Sequence, residues 1–289
     1  MKRRQFLRLV AGTPLLLGSQ QRQRDTADGS VTRFILTRMM MKARAEGWEH
    51  LPIGELMCRF GELFLGTLYA AGTLESSDGV ERCRVDFTGV DCFTFVEATL
   101  CLARALKRGN PTYEGFMEEV IRTRYRDGRL GDYPSRLHYT ADWLYDNERR
   151  GILRNITCDL GGKPRQISVS YMSQHPHQYP ALRRRPELLE QIVLIEHQIN
   201  AHQHWYIPRE SVSTVLPYLQ AGDILAFTTS RPGLDYAHLG LSYPVGGVPH
   251  LLHASQTAGK VIVDKPLLDY LARVPTHTGI AVARAAEVH

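Results

Sequence analysis

Thr88-Gly89-Val90-Asp91-Cys92-Phe93-Thr94-Phe95-Val96-Glu97 is a tight turn that runs straight into an apolar stretch with a cysteine at its mouth. Aspartate is a favoured N-cap, so this pattern predicts a helix that starts just after Asp91, with Cys92 in its first turn. Unsatisfied backbone N–H groups and the positive end of the helix dipole favour a thiolate there, and the sequence predicts a Cys92 pKa below that of a free cysteine. The apolar run continues through Ala98, Leu100, Cys101, Leu102, Ala103, Ala105 and Leu106 to Lys107-Arg108 and Gly109, a cationic last turn and a C′ glycine. Its first three turns carry almost no charge besides Glu97, which predicts a central helix buried on most sides. Free cysteines more often fill apolar space than react. The C-terminal third changes that balance for Cys92, while Cys101, inside the run, reads as core packing.

In that third, residues 222–227 read as a turn opening a buried strand, and residues 237–245 and 248–255 as two more, joined by Gly246-Gly247. A two-residue Gly-Gly loop is a strong hairpin signal and sets Val245 opposite Val248. Counting back in that register sets Gly240 opposite His253 and His238 opposite Ser255. His238 and His253 then share a face as diagonal neighbours roughly 5–8 Å apart. A further strand over 260–264, a short helix over 266–273 and a last strand over 278–283 complete an antiparallel meander. A cysteine at a helix N-terminus and two histidines on one sheet face are the parts of a Cys-His-polar triad.

The chain has 289 residues, 43% hydrophobic and 22% charged, as an ordinary globular protein has. Its N-terminus differs: basic Lys2-Arg3-Arg4-Gln5-Phe6-Leu7-Arg8 precedes an apolar block that ends at Gly18-Ser19-Gln20. Residues 1–24 therefore read as an export signal of twin-arginine character, and no cysteine stands at a lipid-attachment position. That segment holds six basic residues and no acid, so the formal charge of +5 falls to about −1 without it. Nucleic-acid binding loses its main support. Five cysteines show no CxxC or CxxH spacing, which argues against a zinc ribbon or a thioredoxin-type motif. The pairs His175/His177 and His202/His204 raise a metal site, but no HExxH-type helix accompanies them, and the expectation is no metal and no cofactor.

Elsewhere, residues 31–47, 53–69, 112–125 and 186–202 have helical spacing, and residues 82–87 and 161–171 read as strands. Ser135-Arg136-Leu137-His138-Tyr139-Thr140-Ala141-Asp142-Trp143-Leu144 is dense in hydrogen-bonding and aromatic groups. Such a mixture suits a polar ligand with apolar parts, although Tyr139 and Trp143 at helical spacing also suit a core.

From about Leu36 to Arg284 the chain resembles the NlpC/P60 papain-like superfamily of cell-wall hydrolases, and within it the N-acetylmuramoyl-L-alanine amidase-like branch once listed as a domain of unknown function. The resemblance rests on Val90 to Glu97, on Ser135 to Tyr139 with Asp142-Trp143, and on Gly222-Asp223-Ile224. It rests also on Gly233-Leu234-Asp235-Tyr236-Ala237-His238-Leu239-Gly240 and on Leu251-Leu252-His253-Ala254-Ser255. It implies an α+β papain-like fold over 31–289, with the nucleophile helix packed on a C-terminal antiparallel sheet and extra helices around it. By the same resemblance Cys92 is the nucleophile, His238 the base and His253 the orienting third residue. Asp91, Arg136, His138, Tyr139, Asp235 and Tyr236 are the residues expected to bind substrate. The implied partner is peptidoglycan or a muropeptide, met outside the cytoplasm by a monomer without a membrane anchor. Amidase and stem-peptide endopeptidase readings need the same triad and both stay open, beside a non-catalytic wall-binding protein and a histidine-rich metalloenzyme.

Overall fold

The computed structural model describes residues 17–288, with side chains from Gly29 onward. The expected signal segment, 1–24, lies outside the described residues except for the backbone of its last eight positions. No described helix is long and apolar enough to cross a membrane.

The fold is α+β. Helix α1 (Leu17–Ala45) is followed by α2 (Ile53–Leu63), the short strands β1 (Leu68–Tyr69) and β2 (Gly89–Val90), and α3 (Cys92–Lys107). Then come α4 (Tyr113–Arg124), α5 (Thr140–Arg149), β3 (Leu153–Asn155), β4 (Lys163–Arg165), the short helices α6 (Tyr171–Gln174) and α7 (Pro180–Arg184), α8 (Leu189–Ala201), β5 (His204–Pro208) and α9 (Val212–Val215). The C-terminal part contains β6 (Ile224–Thr229), β7 (Tyr236–Val245), β8 (Val248–Ser255), β9 (Lys260–Pro266), α10 (Leu267–Arg273) and β10 (His277–Ala285).

Hydrogen bonding orders the strands β2-β1-β9-β8-β7-β6-β10-β5-β4, with β3 also on β10. Every pair is antiparallel except β1 with β2. The expected meander holds for β6 to β9, but β10 does not extend it. After β9 the chain crosses through α10 and returns beside β6, pairing Ile280 with Phe227 and Ala281 with Ala226.

Alternation along these strands separates two cores. Ile224, Ala226, Leu239, Leu241, Leu252, Ala254, Ala281 and Ala283 face the helical side, where Leu100, Leu102 and Phe95 of α3 pack with Phe60 of α2 and Phe116 of α4. Leu225, Phe227, Leu251, Ile280 and Val282 face the other side, covered by Leu267, Tyr270 and Leu271 of α10 and by Val212 and Val215. From Thr94 to Leu106 every residue of α3 is buried, as its sequence predicts, and α3 lies against β7 and β8.

Three expected elements differ. Residues 82–87 form no strand, because their backbone is held by side chains instead: Thr32 Oγ1 accepts the Phe87 N–H (3.0 Å) and Arg124 Nη1 donates to the Arg84 carbonyl (2.5 Å). The expected strand over 161–171 shrinks to β4, paired only with β5. The helix of residues 53–69 stops at Leu63, after which the chain turns to place β1 between β2 and β9.

Candidate functional site

Asp91 caps α3 as its sequence predicts. Its Oδ1 accepts the Thr94 N–H at 2.8 Å, while Thr94 Oγ1 accepts the Asp91 N–H at 2.9 Å, a reciprocal box that fixes the first turn. Cys92 opens that turn and keeps partial exposure. The backbone N–H groups of Leu239, the residue after His238, of Phe93 and of Cys92 itself act on its thiol as favourable dipoles. Leu239 can supply its N–H because the β7–β8 ladder runs from Val245↔Val248 only to Leu241↔Leu252. Beyond that pair the ladder does not continue toward His238 and His253.

The expected lowering of the Cys92 pKa is not found. Burial pushes the thiol up to about 12, with the Asp91 carboxylate adding to the rise and the three N–H groups opposing it. Loss of hydration outweighs the helix terminus, so the resting group is a neutral thiol.

His238 and His253 meet on the sheet face opposite α3. His238 Nε2 lies 2.6 Å from His253 Nδ1, with the rings nearly perpendicular and their centroids 4.8 Å apart, in the register that the Gly-Gly loop predicts. Gly240 makes this approach possible: a Cβ there would stand 3.0 Å from the His253 Cβ and 2.6 Å from Leu251 Cδ1. Burial holds the His238 imidazole well below the ordinary histidine range, and the neighbouring His253 and His277 lower it further. Burial also brings His253 down to about 4 against the upward pull of Asp264. Both rings are therefore neutral at pH 7. One nitrogen of the 2.6 Å pair must donate and the other accept.

Four residues of this cluster went unread in the sequence: Tyr69, Asp264, Tyr270 and His277. The Tyr270 ring stands 6.2 Å from His238 and 5.5 Å from His253. Burial, then the negative charge of a Cys92 thiolate, raises the Tyr270 phenol, and burial, Cys92 and Asp91 push Tyr69 up to about 12. Tyr69 pairs with Val90, two residues before Cys92. His277 of β10 stacks on Phe227 (5.0 Å) and lies parallel to His238 at 6.3 Å. Parity along β9 offered one signal, since Ile262 faces His253 across the ladder and Asp264 follows two residues on.

The residues expected to bind substrate sit in two places. Asp235 Oδ2 accepts the Ala141 N–H (2.6 Å), which ties the start of α5 to the strand that carries His238. Tyr139 donates to Glu196 (2.6 Å) and accepts from the Met172 N–H (2.9 Å), and Tyr236 lies buried beneath the Arg165 guanidinium at 5.5 Å. Arg136 and His138 are not brought to the cysteine by any contact. Arg136 is buried between Glu75 (2.5 Å) and Glu81 (3.6 Å), and His138 Nε2 bonds the Tyr133 carbonyl at 2.9 Å. The polar atoms of these residues are turned on partners within the protein.

Among the described residues no group of three or more His, Cys, Asp or Glu side chains is disposed to hold a metal. His175 stacks on Tyr171, His202 stacks on Tyr145, and His204 Nε2 bonds the Ile199 carbonyl. All five cysteines are free thiols, with Cys101 fully buried against Thr123 (3.2 Å). A crevice of about 480 Å³ lies at the other end of α3, about 24 Å from Cys92 along the helix. Its arginines are matched by carboxylates, Glu119 serving Arg104 and Arg108, and Asp146 serving Arg150, so it offers no reactive group.

Comparison with known proteins finds relatives over most of the chain. An N-acetylmuramoyl-L-alanine amidase from Bacteroides uniformis is 36% identical, with a TM-score of 0.76 over 81% of this chain and 98% of its own. A Bacteroides fragilis protein bearing a xylanase name is 39% identical, with a TM-score of 0.73 over 78% and 98%. A Legionella pneumophila protein shares the fold at 22% identity, with a TM-score of 0.70 over 91% and 97%. No curated protein sequence matches the chain. Residues 59–285 match the AmiA-like family, described as N-acetylmuramoyl-L-alanine amidase-like, and the chain belongs to that family.

Proposed function

We propose that this protein is a cysteine-dependent peptidoglycan hydrolase that cleaves the amide between the muramoyl lactyl group and L-alanine. The observation that carries this reading is the contact of His238 with His253 at 2.6 Å, on the strands against which the helix that begins with Cys92 packs. His238 Nε2 is engaged by His253, which leaves Nδ1 as the nitrogen for the thiol. His238 takes the thiol proton as Cys92 attacks the lactyl carbonyl, and the tetrahedral oxyanion is held by backbone N–H groups at the mouth of α3. The C–N bond then breaks, the proton passes from His238 to the leaving L-alanine amine, and a thioester remains on Cys92. Water, deprotonated by the same imidazole, hydrolyses the thioester and restores the thiol. No step calls for a cofactor.

A glycosidase reading finds less support. Such chemistry needs two carboxyl groups about 5–9.5 Å apart flanking the bond, one of them a proton donor. The carboxylates at this site, Asp91 and Asp264, are committed to the helix cap and to Arg273. The packing of the helix that begins with Cys92 on β7 and β8 supports a papain-like, NlpC/P60-type arrangement. The stem-peptide endopeptidase remains the second reading, since the same groups would cut an amide one residue further along. Asp91, Tyr139, Asp235 and Tyr236 are proposed to shape the substrate cleft, with Arg136 and His138 bracing its wall. The basic, apolar N-terminus supports export, and a soluble monomer acting outside the cytoplasm fits that address.

Incubation of purified protein with a disaccharide-tripeptide muropeptide, followed by mass spectrometry, tests the proposal. The expected products are free N-acetylglucosaminyl-N-acetylmuramic acid and the intact stem peptide, absent with Cys92→Ala. Disaccharide retaining L-alanine would assign the endopeptidase instead.

A further inference from the structure

The chain of contacts does not end at His253. We propose that Asp264 is a positioning residue for the reaction, fixing through His253 the tautomer in which His238 presents an unprotonated Nδ1 to Cys92; this rests on the cysteine reading above. His253 is 2% exposed, and its Nε2 is buried without a hydrogen-bond partner of good geometry. The carboxylate facing that nitrogen is Asp264, whose Oδ2 lies 3.4 Å away. Arg273 Nη2 on Asp264 Oδ1 (2.5 Å) and the Lys265 N–H (2.7 Å) hold the carboxylate in place. Burial would raise the Asp264 carboxyl, but these two donors and His253 outweigh it and keep it ionised.

An ionised carboxylate can only accept, so His253 carries its proton on Nε2 and offers Nδ1 as a lone pair. His238 must then donate from Nε2, and its Nδ1 is left bare. Without Asp264 nothing on the sheet selects this tautomer over its mirror, in which His253 Nδ1 donates and His238 Nδ1 is protonated and useless as a base. When His238 accepts the thiol proton its positive charge is felt through His253 by Asp264, and the 3.4 Å contact can tighten, as catalytic hydrogen bonds do on reaching the reactive complex. Besides Asp264, the groups facing the pair are Phe227, Tyr270 and His277, none of them a carboxylate.

Two substrate-free readouts separate this proposal from the choice of substrate. The first is the rate of Cys92 alkylation by iodoacetamide at pH 7, followed on the Cys92 peptide. The second is the ¹⁵N shift of the His238 ring nitrogens. Asp264→Asn is expected to slow alkylation and muropeptide kcat by about 10- to 100-fold with KM little changed, less than the ~10⁴-fold loss when the carboxylate touches the base directly. It should also raise the Nδ1–H population of His238, and Asp264→Glu should restore part of both. If Asp264→Asn does not fold, Arg273→Gln, which releases the carboxylate without removing it, should give a smaller slowing. A wild-type alkylation rate with an unchanged His238 tautomer in a folded variant overturns the proposal. Failure of wild-type protein to cleave muropeptide, with the alkylation effect intact, would instead overturn the amidase reading alone.

Discussion

Cys92 and His238 show how far a residue's neighbourhood can reverse a rule read from sequence. A helix N-terminus stabilises a thiolate by partial charges, but here the burial of the thiol and the neighbouring Asp91 carboxylate oppose it, and the sum pushes the thiol up to about 12. The nucleophile must therefore be made during the reaction, by a base that is unprotonated beforehand. His238 meets that need, because its folded pKa lies well below the ordinary 6.5. A base with a depressed pKa stays active as pH falls through 6.5 and is lost only when pH falls through its own lower value. The kcat/KM profile on a muropeptide should thus stay level from neutrality down past pH 6.5, with its acid limb below that point. A limb centred at 6.5 or above would mean that His238 is solvated like a free imidazole.

At the scale of elements, what was legible followed from how strictly a loop fixes its strands. Gly246-Gly247 allows essentially one register, and the pair His238–His253 came with it. The β8–β9 connection, residues 256–259, has no such unique geometry, so Asp264 could not be placed from sequence although it sits on the same hairpin system. Residues 82–87 alternate like a strand, yet alternation reports faces and not partners, and the partners turned out to be the side chains of Thr32 and Arg124. The Asp91 cap was readable because it is purely local. Gly240 links register to chemistry: with a methyl group there, the Leu251 side chain must shift and the His253 Cβ and the Leu252 carbonyl must give way. Gly240→Ala is expected to cost about 1–3 kcal/mol of stability. It should also lower kcat about tenfold or more, checked by urea unfolding beside steady-state kinetics. An unchanged kcat would show that His253 tolerates displacement.

Across the whole molecule, α3 carries Cys92 at one end and is anchored along its length by buried charge. Glu97, 1% exposed, accepts from Arg124 Nε at 3.0 Å on both oxygens, and Arg124 is itself buried and tied to the Arg84 carbonyl. Glu97, the charge that stands in the first turns of this apolar helix, is thus the staple between α3, α4 and the irregular segment before the Asp91 turn. Removing one partner leaves a charge buried and unpaired, and Arg124→Ala should cost about 3–5 kcal/mol in urea unfolding. Adding Glu97→Gln should recover part of the loss. A loss below about 1 kcal/mol would mean that water reaches Glu97.

The central claim, that Cys92 becomes acylated by the muramoyl group, has a direct measurement. Wild-type protein is mixed with a disaccharide-tripeptide muropeptide, quenched in acid within the first turnover, and weighed intact, with peptide mapping of the adduct. The account predicts a thioester on Cys92 with the mass of the disaccharide-lactyl acyl group and release of an unmodified stem peptide, with no adduct in His238→Ala. An adduct carrying L-alanine, or full product formation with Cys92 never modified, would contradict it.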